Sequence, residues 1–277
     1  MRPDTTSREP EACGDPVIRL DHVHKQFGPH VVFEDLTLEI QRGRTTVVLG
    51  QSGVGKSVML KFITGLLRPD RGRVIVCGQD VTNLTERQFI PVRMRFGVVF
   101  QGAALFDYLS VYENVAFALR EHKRLPESEV REIVRRRLEL VDMAGTEALL
   151  PEELSGGMKK RVGLARAIAM DPHCILYDEP TAGLDPVTAD MINRLILRCQ
   201  KELKATSIVV THDMASAYRV GDRILMLYEG QIIADGTPDE FRACPDVRVQ
   251  RFIRGDAGYD GNGGSKEVQG SKFKVQG

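Results

Sequence analysis

The chain has 277 residues, 42% hydrophobic and 27% charged, a globular composition that excludes a disordered or fibrous protein. Its 38 Lys and Arg balance 38 Asp and Glu, so no global charge attracts a polyanion, and nucleic acid is not expected as a partner. No stretch approaches the roughly 18 apolar residues of a bilayer span, and the opening MRPDTTSREPEACGDP has no apolar export-signal core.

Residues 1–15 are polar and read as a loose leader, with regular structure starting near Val17. The runs TTVVL (45–49), RVIV (73–76), GVVF (97–100), CILY (174–177), SIVV (207–210) and ILMLY (224–228) read as strands, several buried on both faces. Helical patterns such as KSVMLKFITGLL from Lys56 and MINRLILRCQKEL from Met191 fall between them. That alternation predicts an α/β fold around a mostly parallel sheet.

From 109 to 149 the strand pattern stops, and Val130, Ile133, Val134, Leu138 and Val141 recur at helical spacing. This block, about 102–170 with its flanks, reads as an inserted helical subdomain within a domain spanning 16–254. Its Arg135, Arg136 and Arg137 read as a solvated helix face. Residues 255–277 are Gly-rich and polar and read as a flexible tail. The five cysteines are widely spaced with no CxxC, which suits reduced thiols better than disulfides or a zinc site.

GQSGVGKS (50–57) follows a predicted strand and opens a predicted helix, the context of a phosphate-binding loop. Its glycines let successive N–H groups converge on an anion, with Lys56 meeting the β and γ phosphates and Ser57 a Mg²⁺ ion. A plain Gly-rich turn is the alternative. CILYDE (174–179) ends a buried strand in two carboxylates whose side chains should point to opposite sides and so do different work. Asp178 would hold the Mg²⁺ shell and Glu179 polarise the attacking water, unless both are merely solvated. His212, after SIVVT, is placed to hydrogen-bond a terminal phosphate, and Gln101, after GVVF, offers a neutral carbonyl to Mg²⁺. Taken singly, each is better explained as a structural residue. LSGGMKKR (154–161) is a second anion-binding helix start or simply a capped helix.

Taken in order, these motifs over about residues 17–245 resemble the ATP-binding subunit of an ABC transporter. The matching pieces are the Walker A loop GQSGVGKS, the Q-loop Gln101, the signature LSGGM, the Walker B strand CILYDE, the D-loop AGLD (182–185) and the switch His212. The resemblance implies a P-loop core with an N-terminal antiparallel β part and an inserted helical subdomain. It makes Gly50, Gln51, Ser52, Gly53, Val54, Gly55, Lys56, Ser57 and Val58 the ATP cradle, with Glu179, His212 and Lys56 catalytic. Ser57, Gln101 and Asp178 would hold Mg²⁺. Phe27 falls where an aromatic ring stacks on adenine, a core position being the alternative. Ser155, Gly156 and Gly157 would reach nucleotide held by a partner's P-loop; with one copy of each motif, a second copy of the chain is implied.

Met158 in the signature, FQGAALFDYLSVYENVAFALREH (100–122) and CPDVRVQRFIRG (244–255) narrow the resemblance to the MlaF, Ttg2A and Mkl group of Mla and Mce lipid-transport ATPases. That implies a peripheral subunit on the cytoplasmic side of a bacterial inner membrane, with an integral permease and Mce-domain and STAS-type accessory subunits. The permease is expected to dock on residues 102–112. An importer ATPase for amino acids or another small solute is the alternative. ABC proteins of DNA repair or translation carry a long coiled-coil insertion or tandem ATPase domains, and this chain has neither.

Overall fold

A computed structural model describes residues 13–256; leader residues 1–12 and tail residues 257–277 lie outside the described range. Strands β1 (Ile18–Phe27) and β2 (His30–Ile40) form an antiparallel hairpin. Ile18, Leu20 and Val23 of β1 and Phe33, Leu36, Leu38 and Ile40 of β2 are buried. The chain then enters a second sheet through β3 (Thr45–Leu49), buried at all five positions, and turns into helix α1 (Lys56–Ile63). The apolar pattern runs on to Leu67, but the helix stops at Thr64 because Gly65 adopts φ +66°. A Cβ there would lie 2.4 Å from the Phe89 ring, so only glycine fits. Strands β4 (Arg71–Val76) and β5 (Gln79–Asp80) complete the first sheet, in the order β2-β1-β4-β5.

Helix α2 (Glu86–Arg93), opened by a Thr85–Gln88 capping box, leads to strand β6 (Phe96–Val99). The helical block follows as α3 (Val111–His122), α4 (Glu127–Leu140) and α5 (Gly156–Ala167). Val115, Leu119, Val134, Leu138 and Val162 are fully buried in one cluster among them. Each such side chain contributes about 1.5–3 kcal/mol. That outweighs the exposed pairs that Arg135 and Arg136 make with Glu132 and Glu139, at about 0.3–0.5 kcal/mol apiece. Arg137 departs from the expected solvated face: it is largely buried and ion-paired with Asp171 beyond the block.

Strand β7 (Cys174–Asp178), helix α6 (Pro186–Leu203), β8 (Thr206–Thr211), α7 (Met214–Val220), β9 (Arg223–Tyr228), β10 (Gln231–Gly236), α8 (Pro238–Ala243) and α9 (Val247–Arg254) finish the chain. The second sheet runs β10-β9-β3-β8-β7-β6, parallel except for the edge strand β10. The fold is therefore α/β, a mostly parallel sheet beside an antiparallel one. Val47 and Leu49 of β3 pack with the helical cluster, whereas Val48 packs with the hairpin and α1, so alternate residues of one strand serve two cores. No helix among the described residues is long and apolar enough to cross a membrane.

The cysteines correct the expectation of five reduced thiols. Cys13 and Cys77 form a disulfide across 64 residues, while Cys174, Cys199 and Cys244 are free. Linear spacing does not record that β1 pairs with β4, with Ile18 opposite Val76, so the segment before β1 lies beside the residue after β4.

Candidate active site

The phosphate loop hangs between β3 and α1, and its shape follows from its glycines. Gly53 and Gly55 have φ +83° and +109°, and a Cβ on Gly55 would sit 2.7 Å from Phe33 Cζ. A Cβ on Gly50 would sit 2.6 Å from the Leu227 carbonyl oxygen. Val54 and Val58 are half-buried against the hairpin core, while Gln51, Ser52 and Ser57 are exposed. Lys56 is buried, and its ammonium donates to the carbonyl oxygens of Gly50 at 2.6 Å and Gln51 at 3.0 Å. Burial pulls its pKa down, opposed by Glu179 and Asp178.

Asp178 ends β7 and accepts a 3.2 Å hydrogen bond from Ser57 Oγ. Burial raises its pKa, partly offset by that bond. Glu179 departs from the expected alternation. With φ +49° it has left strand geometry, so its carboxylate also turns toward the loop, 3.4 Å from Lys56 Nζ. Its other oxygen accepts from Thr211 Oγ1 at 3.1 Å and lies 3.0 Å from His212 Nδ1. The two acids thus share the loop but engage different partners: Asp178 the hydroxyl, Glu179 the lysine and histidine.

A cavity of about 440 Å³ collects Gln51, Ser52, Gln101, Glu179 and His212, with Arg251 and Phe252 of α9 on its wall. Phe27 is not in the core; it lies 47% exposed at the end of β1, with Lys25 Nζ 5.3 Å from its ring centroid. Ser155, Gly156 and Gly157 begin α5, where Ser155 caps the Met158 N–H, and none of the three lines this cavity. The chain therefore brings Gln51, Ser52, Gln101, Glu179 and His212 to one cavity, with Lys56 on Glu179 and Ser57 on Asp178, but not its own signature residues. The sequence reading missed Thr211 and Lys160. Buried Lys160 donates to the carbonyl oxygens of Pro180 at 2.8 Å and Ala182 at 2.7 Å, fastening α5 to the segment after Glu179. The signal for Lys160 was a lysine on an apolar helix face three residues after the signature glycines.

A second cavity, about 560 Å³, separates α2 and β6 from α3 and α5, and Ile90, Phe100, Phe106, Phe117 and Met170 line it. Ile90, Phe100 and Phe117 are each more than 40% exposed. Of residues 102–112 only Ala104 and Phe106 reach it, and Leu105 packs instead on the core.

A Gly-rich loop between parallel strand and helix, with a strand-end aspartate on the hydroxyl after its lysine and a glutamate held by histidine, defines a P-loop nucleotide hydrolase. The family model described as ABC transporter matches residues 33–182, and the chain belongs to that family and is an ATPase. It is 42% identical over 241 residues to the intermembrane phospholipid transport system ATP-binding protein MlaF of Haemophilus influenzae, covering 87% of this chain and 91% of that one. A probable ribonucleotide transport ATP-binding protein, mkl, of Mycobacterium leprae is 42% identical over 86% of this chain and 69% of its own. Among solved structures, cbiO1 of Clostridium perfringens, part of the transporter complex cbiONQ, superposes with TM-score 0.78 at 31% identity, covering 87% and 96% of the two chains. The dimeric cassette MJ0796, bound to ADP and Pi in a post-hydrolysis state, gives TM-score 0.73 at 31% identity over 80% of this chain and 98% of that one.

Proposed function

We propose that the chain is the ATP-hydrolysing subunit of a transporter that moves phospholipid or another lipid, working as a homodimer on the cytoplasmic face of a bacterial inner membrane. The observation that carries the cargo is the 42% identity spanning 91% of a phospholipid-transport relative. The name of the mycobacterial relative favours a second reading, a polar solute, and that match covers less of its relative.

In this reading Lys56 leaves the carbonyl oxygens of Gly50 and Gln51 for the β and γ phosphates of ATP, cradled by residues 50–58. Glu179, oriented by Thr211 and His212, takes a proton from water aimed at the γ phosphate. Phe27 covers the adenine. Ser57, Asp178 and Gln101 are oxygen donors that suit Mg²⁺, and Ser57 Oγ already meets the Asp178 carboxylate at 3.2 Å. Held by these residues, the ion would supply charge neutralisation for the phosphates.

Ser155, Gly156 and Gly157 complete the site of a second copy. The apolar cavity between α2 and α3 receives a permease element, because exposed Ile90, Phe100 and Phe117 flank it. Mce-domain and STAS-type subunits join the assembly. Extracting a two-chain lipid exposes CH₂ groups at about 0.8 kcal/mol each, so the partners must shield its path while ATP supplies the work. Reconstitution with its cognate permease, in liposomes carrying a fluorescent phospholipid, should give ATP-dependent lipid movement. ATPase stimulation by a nucleoside, amino acid or sugar without lipid movement would establish the solute reading instead.

A further inference from the structure

Away from the phosphate loop, three ligand atoms meet that ATP hydrolysis does not use. The sulfurs of Cys13 and Cys77 and a ring nitrogen of His173 all lie within 4.8 Å of one another, with His173 Nδ1 3.1 Å from Cys13 Sγ. They arrive from three places: the segment before β1, the β4–β5 turn and the residue before β7. Separate backbone contacts hold each one. Cys77 N–H donates to Val17 O at 2.7 Å, and His173 N–H donates to Arg95 O at 2.8 Å while its own carbonyl accepts from Thr206 N–H at 3.0 Å. Arg42 Nη1 donates to Cys13 O at 3.1 Å. Cys77 and His173 are thus anchored by the two sheets independently of the disulfide, and Cys13 by Arg42 as well as by the disulfide.

A disulfide alone accounts for the two sulfurs but not for an imidazole nitrogen aimed at them. Two thiolates and a neutral imidazole are the donor set of tetrahedral sites for borderline-soft divalent metals, and they balance a 2+ charge. A cavity of about 280 Å³ borders Cys13 and His173, with room for water as the fourth ligand.

We propose that Cys13, Cys77 and His173 form a redox-gated site for a divalent cation of the zinc class, closed as a disulfide when oxidised and metal-binding when reduced. A thiol reductant supplies two electrons and two protons, opening the disulfide to two thiols and leaving as its own disulfide. The cation then displaces both thiol protons to solvent and binds the two thiolates and the imidazole. Either form cross-links the segment before β1 to the β4–β5 turn, by a covalent bond in one and through a metal and β7 in the other.

The test titrates Co²⁺ into the full-length, nucleotide-free chain reduced with a phosphine. One ion per chain should bind with a sulfur-to-cobalt charge-transfer band and the visible bands of tetrahedral cobalt, and Zn²⁺ should displace it. Cys13→Ser and Cys77→Ser should each lose the spectrum, His173→Ala should weaken binding by at least about tenfold, and Cys244→Ser should change nothing. Oxidised glutathione should release the ion as two thiols disappear. Each variant's ATP binding and circular dichroism report its folding. Absence of the sulfur–cobalt band from folded, reduced protein, or binding undiminished in folded His173→Ala, overturns the proposal.

Discussion

Asp178 and Glu179 adjoin in sequence yet are set up for different tasks, and the difference is measurable. Glu179→Gln keeps the shape that Thr211 and His212 hold but loses the proton-accepting carboxylate, so turnover should fall by about 10²–10⁴-fold with ATP still bound. Steady-state phosphate release near the parental rate would remove Glu179 from the mechanism. For Asp178 the sign of the pKa shift sets a stability prediction. Burial raises its folded pKa, so the charged form opposes folding above that pKa, and the penalty vanishes below the unfolded value. Asp178→Asn should therefore raise the Tm of the nucleotide-free chain at pH 7 and leave it unchanged near pH 3. Melts without magnesium at both pH values check this, and a lower Tm at pH 7 would contradict it. At this scale the phosphate loop was legible because its geometry is local: glycines, lysine and serine lie within eight consecutive residues. Thr211 was not, because its partner Glu179 is 32 residues away and only the β7–β8 pairing unites them.

The elements divide the same way. The buried parallel strands β3, β7, β8 and β9 announced themselves as β-branched or apolar runs, since strands covered on both faces are apolar nearly throughout. The exposed edge pieces β5 and β10 carry too few buried residues to leave such a pattern. Helix α6 was expected from Met191 but starts at Pro186, because Asp185 caps the N–H groups of Val187 and Thr188 ahead of the apolar stripe. Pairing of β1 with β4 creates the Cys13–Cys77 bond, and the same element packing silences two other thiols. Cys199, within α6, is pushed up to about 12 by burial, and burial raises Cys174 in β7 as well. Native, unreduced protein should thus alkylate at Cys244 alone at pH 8. Denatured protein should take three labels and denatured, reduced protein five, as read by intact mass. Native labelling of Cys199 would mean that α6 lifts from the sheet far more readily than its packing implies.

For the whole molecule, the cavity that gathers Gln101, Glu179 and His212 contains nothing from the start of α5. In the homodimer reading the signature serves the other copy, and Gly156 lets that be tested without disturbing the chain that carries it. A Cβ on Gly156 would meet nothing within 4 Å, whereas one on Gly157 would sit 2.7 Å from Thr188 Cγ2. An acidic side chain is also favourable in the first turn of a helix. Gly156→Asp should therefore fold normally and bind ATP as a monomer with unchanged affinity, yet place a negative charge against the γ phosphate of its partner's nucleotide. In a Glu179→Gln background, where ATP should trap the dimer, adding Gly156→Asp should leave ATP affinity by calorimetry unaltered and abolish the ATP-dependent dimer by size-exclusion chromatography. Weakened ATP binding by the monomer would place the signature in the chain's own site. A dimer that forms regardless would take Gly156 out of the interface altogether.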